Sequence, residues 1–219
     1  MSDQIKCHWI VHPILTEHPI SIRALKPPGS PLNLYTLNRT YFPADFESSD
    51  ALKQQFERDA LELSEQGFNV YTVMNVIRQD LPADKAVGDA DIVARRLLLI
   101  DIDRVGDTSN PATDEEVSAA FDLASEVAKY LHDQGFPKPM RVHSGNGVHL
   151  YYRLEPVNEA LIGASVSRLL KGIAKRFNNA LVGVDTTVGN ASRITKVIGT
   201  LSRKGVESGG RPFRVAKLL

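Results

Sequence analysis

The stretch LLLIDIDRV, residues 97–105, constrains this chain more than any other. Four apolar residues run without a break, and two carboxylates follow at Asp101 and Asp103, with Ile102 between them. An uninterrupted apolar run of this length reads as a strand buried on both faces. Side chains two apart on a strand point the same way, so Asp101 and Asp103 project together. Two carboxylates at the edge of an apolar core repel each other, and need a cation, a shared proton or open water. A hard divalent cation such as magnesium prefers oxygen ligands, and often takes one or two carboxylates together with substrate phosphates. The pair is read as a metal site.

The rest of the composition narrows the setting. A length of 219 residues suits one large domain or two small lobes sharing a core. Lys and Arg number 26, as do Asp and Glu, so any attraction to nucleic acid must be local rather than global. No apolar run approaches the roughly 18 residues of a membrane span. The N-terminal MSDQIKCHW is not a signal peptide, because Asp3 and His8 interrupt any apolar core. Cys7 is the single cysteine, which excludes intramolecular disulfides and cysteine-rich zinc sites. The expected setting is cytoplasmic, with no membrane partner.

Short strands alternate with helices. Strands are expected over 21–25, 33–42 and 69–77, with a helix over 48–66 whose apolar stripe is Leu52, Phe56, Ala60 and Leu63. Thr113 and Glu116 form a capping-box pattern that opens a second helix, closed by Gly135. Residues 140–144 and 148–154 read as a hairpin, and a third helix is expected from about 158 to 177. A strand over 181–185 precedes a tail that reads as irregular and basic. Strands mixed with helices, including a hairpin, give an α+β class rather than a doubly wound parallel sheet. The expected division is an N-terminal lobe to about residue 95 and a second lobe over about 96–219. The cleft between them would be the natural site.

Two further stretches bear on that site. RVHSGNGVHLYYRL, residues 141–154, places Ser144, Gly145, Asn146 and Gly147 at a turn, with His149 just inside the next strand. Glycines at such a turn let another group approach the backbone closely. A phosphate is the expected guest, with His149 giving it a charge-assisted hydrogen bond. VGVDTTVGNASRITKVIGTLSRKG, residues 182–205, ends another short apolar run at Asp185 and follows it with Arg193, Lys196, Arg203 and Lys204. Arg193 and Lys196 read as a polyphosphate clamp. Arg203, Lys204 and Arg211 read as contacts to nucleic acid.

In this order the three stretches resemble the archaeo-eukaryotic primase superfamily, above all the primase-polymerase domains of bacterial mobile elements and phages. The residues that carry the resemblance are Asp101 and Asp103, then Gly147-Val148-His149, then Asp185. Asn190, Arg193, Lys196, Gly199-Thr200 and Arg203-Lys204-Gly205 extend it. Ile198 and Ser202 stand where relatives often have proline and asparagine. The resemblance implies an RNA-recognition-like catalytic β sheet beside a smaller N-terminal α/β lobe. It implies a template-dependent DNA primase/polymerase that adds dNTPs or NTPs to a primer 3′-hydroxyl. Asp101, Asp103 and Asp185 would hold two magnesium or manganese ions roughly 3.5–4 Å apart. Ser144, His149, Arg193 and Lys196 would hold the triphosphate. The implied partners are a DNA template and primer, and a helicase or helical priming module.

Two other readings are carried forward. Asp-Ile-Asp-Arg-Val also fits the first motif of haloacid-dehalogenase-like phosphohydrolases, with Asp101 as nucleophile and a late acidic pair expected after a lysine. A non-catalytic nucleic-acid-binding module of a replication initiator would suit the basic tail.

Overall fold

The computed structural model describes residues 2–31, 33 and 35–219. Two antiparallel sheets carry the fold, and the α+β class holds. The first sheet contains β1 (Ile20–Leu25), β2 (Leu37–Tyr41) and β3 (Asn69–Val73). Helix α3 (Ser49–Glu65) covers it, because its stripe of Leu52, Phe56, Ala60 and Leu63 packs with Ile22, Ala24 and Val70 in one core. Full burial of a side chain such as Leu52 or Phe56 contributes about 1.5–3 kcal/mol. Ser48 caps the helix, its hydroxyl accepting the Ala51 N–H at 3.1 Å. Two short helices not anticipated from sequence, α1 (Ser2–Lys6) and α2 (His8–Val11), join the cores through Ile5 and Val11.

The second sheet is built on β5 (Ile92–Arg104), thirteen residues long. Its neighbours are β4 (Val76–Ile77), β7 (Val148–Val157) and β8 (Val182–Val184), and β6 (Met140–His143) extends the sheet beyond β7. Helices α4 (Asp114–Asp133) and α5 (Glu159–Phe177) pack against it. Leu97, Leu98, Leu99 and Ile100 are all buried, as a strand covered on both faces requires. The predicted capping box of α4 is complete: Glu116 N–H donates to Thr113 Oγ1 at 3.1 Å, and Thr113 N–H to Glu116 Oε2 at 2.8 Å.

The structure corrects four expectations. A boundary at residue 95 falls inside β5. The chain crosses between the sheets on both sides of it: β9 (Ile194–Lys196) completes the first sheet in the order β2-β1-β3-β9, while β4 belongs to the second. Residues 69–77 are not one strand but β3 and β4, parted at Met74 and Asn75. Asn75 explains the break. Its side-chain amide donates to the Ala191 carbonyl at 2.8 Å and accepts the Arg96 N–H at 3.1 Å, tying β5 to the segment that leads into β9 instead of continuing a strand. The strand expected over 33–42 forms only over Leu37–Tyr41, and Leu34 lies outside the described residues. The tail is ordered into β10 (Leu201–Ser202), β11 (Arg214–Val215) and β12 (Lys217–Leu218), the last pairing with β6. Two-residue strands are too short to show a period in sequence.

Candidate active site

β5 carries the acids. Asp101 stands opposite His149 on β7, and Asp103 opposite Gly183 on β8. Where β8 ends, the Asp185 N–H donates to the Asp101 carbonyl at 2.9 Å, which brings the third carboxylate beside the first two. Leu99, Asp101 and Asp103 share one face of β5 and line a cleft of about 300 Å³ between the two sheets. The opposite wall is formed by Tyr71 of β3 and by Arg193, Thr195 and Lys196 at β9. A second recess of about 300 Å³ lies beyond Asp103 and Asp185, reaching Val105 and Thr108, and Lys204 borders both.

Burial, with Asp185 beside it, pushes the Asp101 carboxyl up to about 6, against the pull of Arg193 and Lys204. Asp103 is raised as well, first by burial and then by Asp101. The pair lacks the positive charge that would hold it ionised. Its donors are carboxylate oxygens alone, the chemistry of a hard divalent cation. Asp185 is held partly aside: its Oδ1 accepts the Thr187 N–H at 2.7 Å, and its Oδ2 lies 3.8 Å from Arg193. Among the described residues no three His, Cys, Asp or Glu side chains form a ligand cluster. Asp101 and Asp103 offer such a cation two neighbouring carboxylates, and Asp185 as placed does not complete a set of three.

The cleft gathers most of the residues expected to bind nucleotide and changes what several of them do. Ser144 and Asn146 line it, but Gly145 and Gly147 do not. What approaches those glycines is the chain itself. A Cβ on Gly147 would overlap the Ile102 carbonyl, and one on Gly145, at φ 103°, would overlap Ser202. His149 was expected to carry charge. Burial lowers it to about 4, with Asp103 opposing and Arg193 assisting, so the imidazole is neutral near pH 7. Its Nε2 lies 3.5 Å from Asp101 Oδ1.

Lys196 is a floor residue rather than an extended clamp. It is 3% exposed, donates to Asn69 Oδ1 at 3.0 Å and sits 5.0 Å from the Tyr71 ring centroid. Burial, and then Arg203, lower it well below the usual lysine range. Arg193 is the more open cation, about a third exposed.

Of the residues expected to contact nucleic acid, Arg203 and Lys204 line the cleft. Arg211 does not: its guanidinium is taken up by Glu116, at 2.9 and 3.3 Å, and by the Pro111 carbonyl at 2.7 Å. These contacts cross-link the C-terminal segment to the start of α4. Asn69 was missed. Its Oδ1 accepts both Lys196 Nζ and the Arg203 N–H, the latter at 2.8 Å, so it holds two cationic residues in place. An asparagine inside a strand, where it is disfavoured, was the available signal. The phosphohydrolase reading needs a late acidic pair after a lysine of the cleft, and Lys196 is a late lysine there. Glu207, the acid after Lys196, instead accepts the Phe213 N–H at 2.8 Å and is not part of the lining.

No family model matches the chain, and no curated protein matches it. Among solved structures it is similar to the AEP domain of the cyanophage S-2L primase-polymerase. That match has 18% identity and a TM-score of 0.56, over 100% of this chain and 89% of that one. It is also similar to the primase RepB′, at 12% identity and a TM-score of 0.51, over 99% of this chain and 55% of that one. These likenesses show the fold.

Proposed function

We propose that this chain, whose fold is of the archaeo-eukaryotic primase type, is a template-dependent nucleotidyltransferase that extends a primer 3′-hydroxyl with nucleotides. One observation carries the reading. Two carboxylates short of positive charge share a cleft with Arg193, Lys196, Arg203 and Lys204, on a fold seen in a primase-polymerase domain and a primase. Acids and bases facing each other across one cleft suit a substrate that is itself anionic and arrives with cations.

Asp101 and Asp103, joined by Asp185, would hold magnesium or manganese, whose charge activates an attacking hydroxyl and steadies a leaving pyrophosphate. Arg193 would contact the triphosphate before Lys196, being the more open of the two. Lys196 and Arg203, fixed by Asn69, would form a preorganised floor that need not reorganise when phosphates arrive. His149 would offer a neutral N–H to a phosphate oxygen. The second recess, meeting the first at Asp103 and Asp185, would admit the primer terminus, so that both reacting groups reach the carboxylates from opposite sides.

The test is primer extension on a labelled duplex, comparing dNTPs with NTPs in magnesium and in manganese. Extension that requires a divalent ion and disappears in Asp101→Asn supports the reading. DNA binding indifferent to divalent ions, with no incorporation under any condition, overturns it in favour of a non-catalytic binding module.

A further inference from the structure

Behind His149 runs a buried file of polar groups that the proposed chemistry does not use. His149 Nδ1 lies 3.0 Å from the Tyr151 hydroxyl. Tyr151 is 1% exposed, and its hydroxyl is also hydrogen-bonded to Thr195. Thr195 Oγ1 lies 3.4 Å from Nε2 of His12, which stands just past the end of α2 and is itself buried. The file thus begins in the cleft and ends in the packing of the N-terminal helices. Three contacts join four side chains drawn from β7, β9 and the N-terminal segment.

Each hydroxyl has one proton to give, so a file with every hydroxyl proton used and every contact bridged runs in one of two directions. Any mixed arrangement leaves a buried hydroxyl proton without an acceptor in the file, or one contact without a proton. In one, His149 donates from Nδ1 to Tyr151, Tyr151 to Thr195, and Thr195 to His12 Nε2. His12 must then carry its proton on Nδ1, which has no hydrogen-bond partner among the described residues. The result is a buried, unsatisfied N–H. In the same arrangement a neutral His149 turns a bare Nε2 lone pair toward the Asp101 carboxyl 3.5 Å away. In the other direction, His12 Nε2–H donates to Thr195, Thr195 to Tyr151, and Tyr151 to His149 Nδ1. The atom left without a partner is then an acceptor, a lesser fault than an orphaned donor. His149 keeps its proton on Nε2, facing Asp101 and the cleft.

We propose that Tyr151, Thr195 and His12 are positioning residues that fix His149 as its Nε2–H tautomer and aim that N–H into the cleft. They act through His149. Orientation of a working imidazole by the partner of its other nitrogen is a general device. Here the partner is a tyrosine, locked in turn by a threonine of the facing sheet. The file therefore couples the geometry of one wall of the cleft to the proton position on the other. Its importance for nucleotide binding rests on the nucleotidyl-transfer reading; the tautomer itself does not.

The experiment is a long-range ¹H–¹⁵N correlation on protein labelled at histidine nitrogen, recorded near pH 7.5 and paired with primer-extension kinetics. The expected wild-type result is a pyridine-like Nδ1 and a pyrrole-like Nε2 for His149. Tyr151→Phe keeps the ring but removes the donor. It should shift both nitrogens toward a mixture of tautomers and raise the nucleotide KM by roughly three- to tenfold, with a smaller change in kcat. Thr195→Val should move the spectrum in the same direction, and it carries the test if Tyr151→Phe does not fold. A wild-type His149 protonated on Nδ1 would overturn the proposal, as would an unchanged tautomer in both variants. The expected tautomer in a protein that incorporates no nucleotide would leave the file standing and remove the polymerase reading alone.

Discussion

Asp101 and Glu116 are buried to nearly the same depth, their side chains 18% and 16% exposed, yet their surroundings are opposite. Burial would raise Glu116, but the Thr113 N–H and the guanidiniums of Arg211 and Arg104 hold it down at about 2. Asp101 has burial and Asp185 against it, only more distant cations in its favour, and sits at about 6. One carboxylate closes a network that joins the start of α4 to the end of β5 and to the C-terminal segment. The other is left with unmet charge at the centre of a cleft. A satisfied buried acid belongs to the scaffold, and an unsatisfied one is held there by the rest of the fold.

The sharpest way to break this contrast is to neutralise each acid at constant shape. Asp101→Asn should cut primer extension on the order of 10³-fold or more, as expected for losing several kcal/mol of transition-state stabilisation. Its thermal midpoint in metal-free buffer should stay level or rise. Near-normal extension by this variant would remove Asp101 from the chemistry.

Glu116→Gln should do the reverse. Removing one partner of a buried ion pair costs about 3–5 kcal/mol, and here Arg104 and Arg211 would both lose their carboxylate. Urea unfolding should show that loss, while extension per folded molecule stays at the wild-type level. Unchanged stability would mean that Glu116 is not the hub its contacts describe.

The two acids should also give stability slopes of opposite sign against pH. The folded-state value of Glu116 is depressed from 4.5 to about 2, so its contribution is present above about 4.5 and lost as pH falls toward 2. Asp101 is raised from 3.8 to about 6, so its contribution is present below about 4 and lost as pH rises through 6. In metal-free buffer, Asp101→Asn should gain on wild type by up to about 3 kcal/mol between pH 4 and pH 6. Parallel curves for wild type and variant over that window would contradict the assigned environment.

The smallest effect concerns the cations that partly relieve Asp101. Lys204→Ala should raise the Asp101 carboxyl slightly further and weaken nucleotide binding by less than about 1 kcal/mol, the scale of a solvent-screened charge interaction. Calorimetry with a non-hydrolysable nucleotide would measure it. A loss as large as that of Asp101→Asn would move Lys204 from the rim to the centre of the site.

Much of this contrast could be read before any coordinates. Asp101 and Asp103 announce themselves because a period of two and a both-sides-buried run leave them nowhere else to point. The α4 start is legible because a capping box is a local pattern of four residues. Asp185 was legible as a second acid ending an apolar run, though the Thr187 N–H that holds it aside was not noticed. For Lys196, Arg211 and the hairpin glycines the sequence does not show the contacts that the structure gives them. Their neighbours, Asn69, Glu116 and Ile102, lie far away in sequence, and no pattern within a short window names them.

By itself the sequence determined the longer helices, the main strands and the acids at their ends, since propensity, periodicity and capping act over a few residues. Tertiary structure alone decided which charges are answered. It threaded β9 back into the first sheet and so set Arg193 and Lys196 across from Asp101. It turned Arg211 inward to Glu116, and it stood Tyr151 and Thr195 behind His149. The physical reason is that protonation and ion pairing depend on burial and on the nearest opposite charge, and both are properties of space rather than of order along the chain.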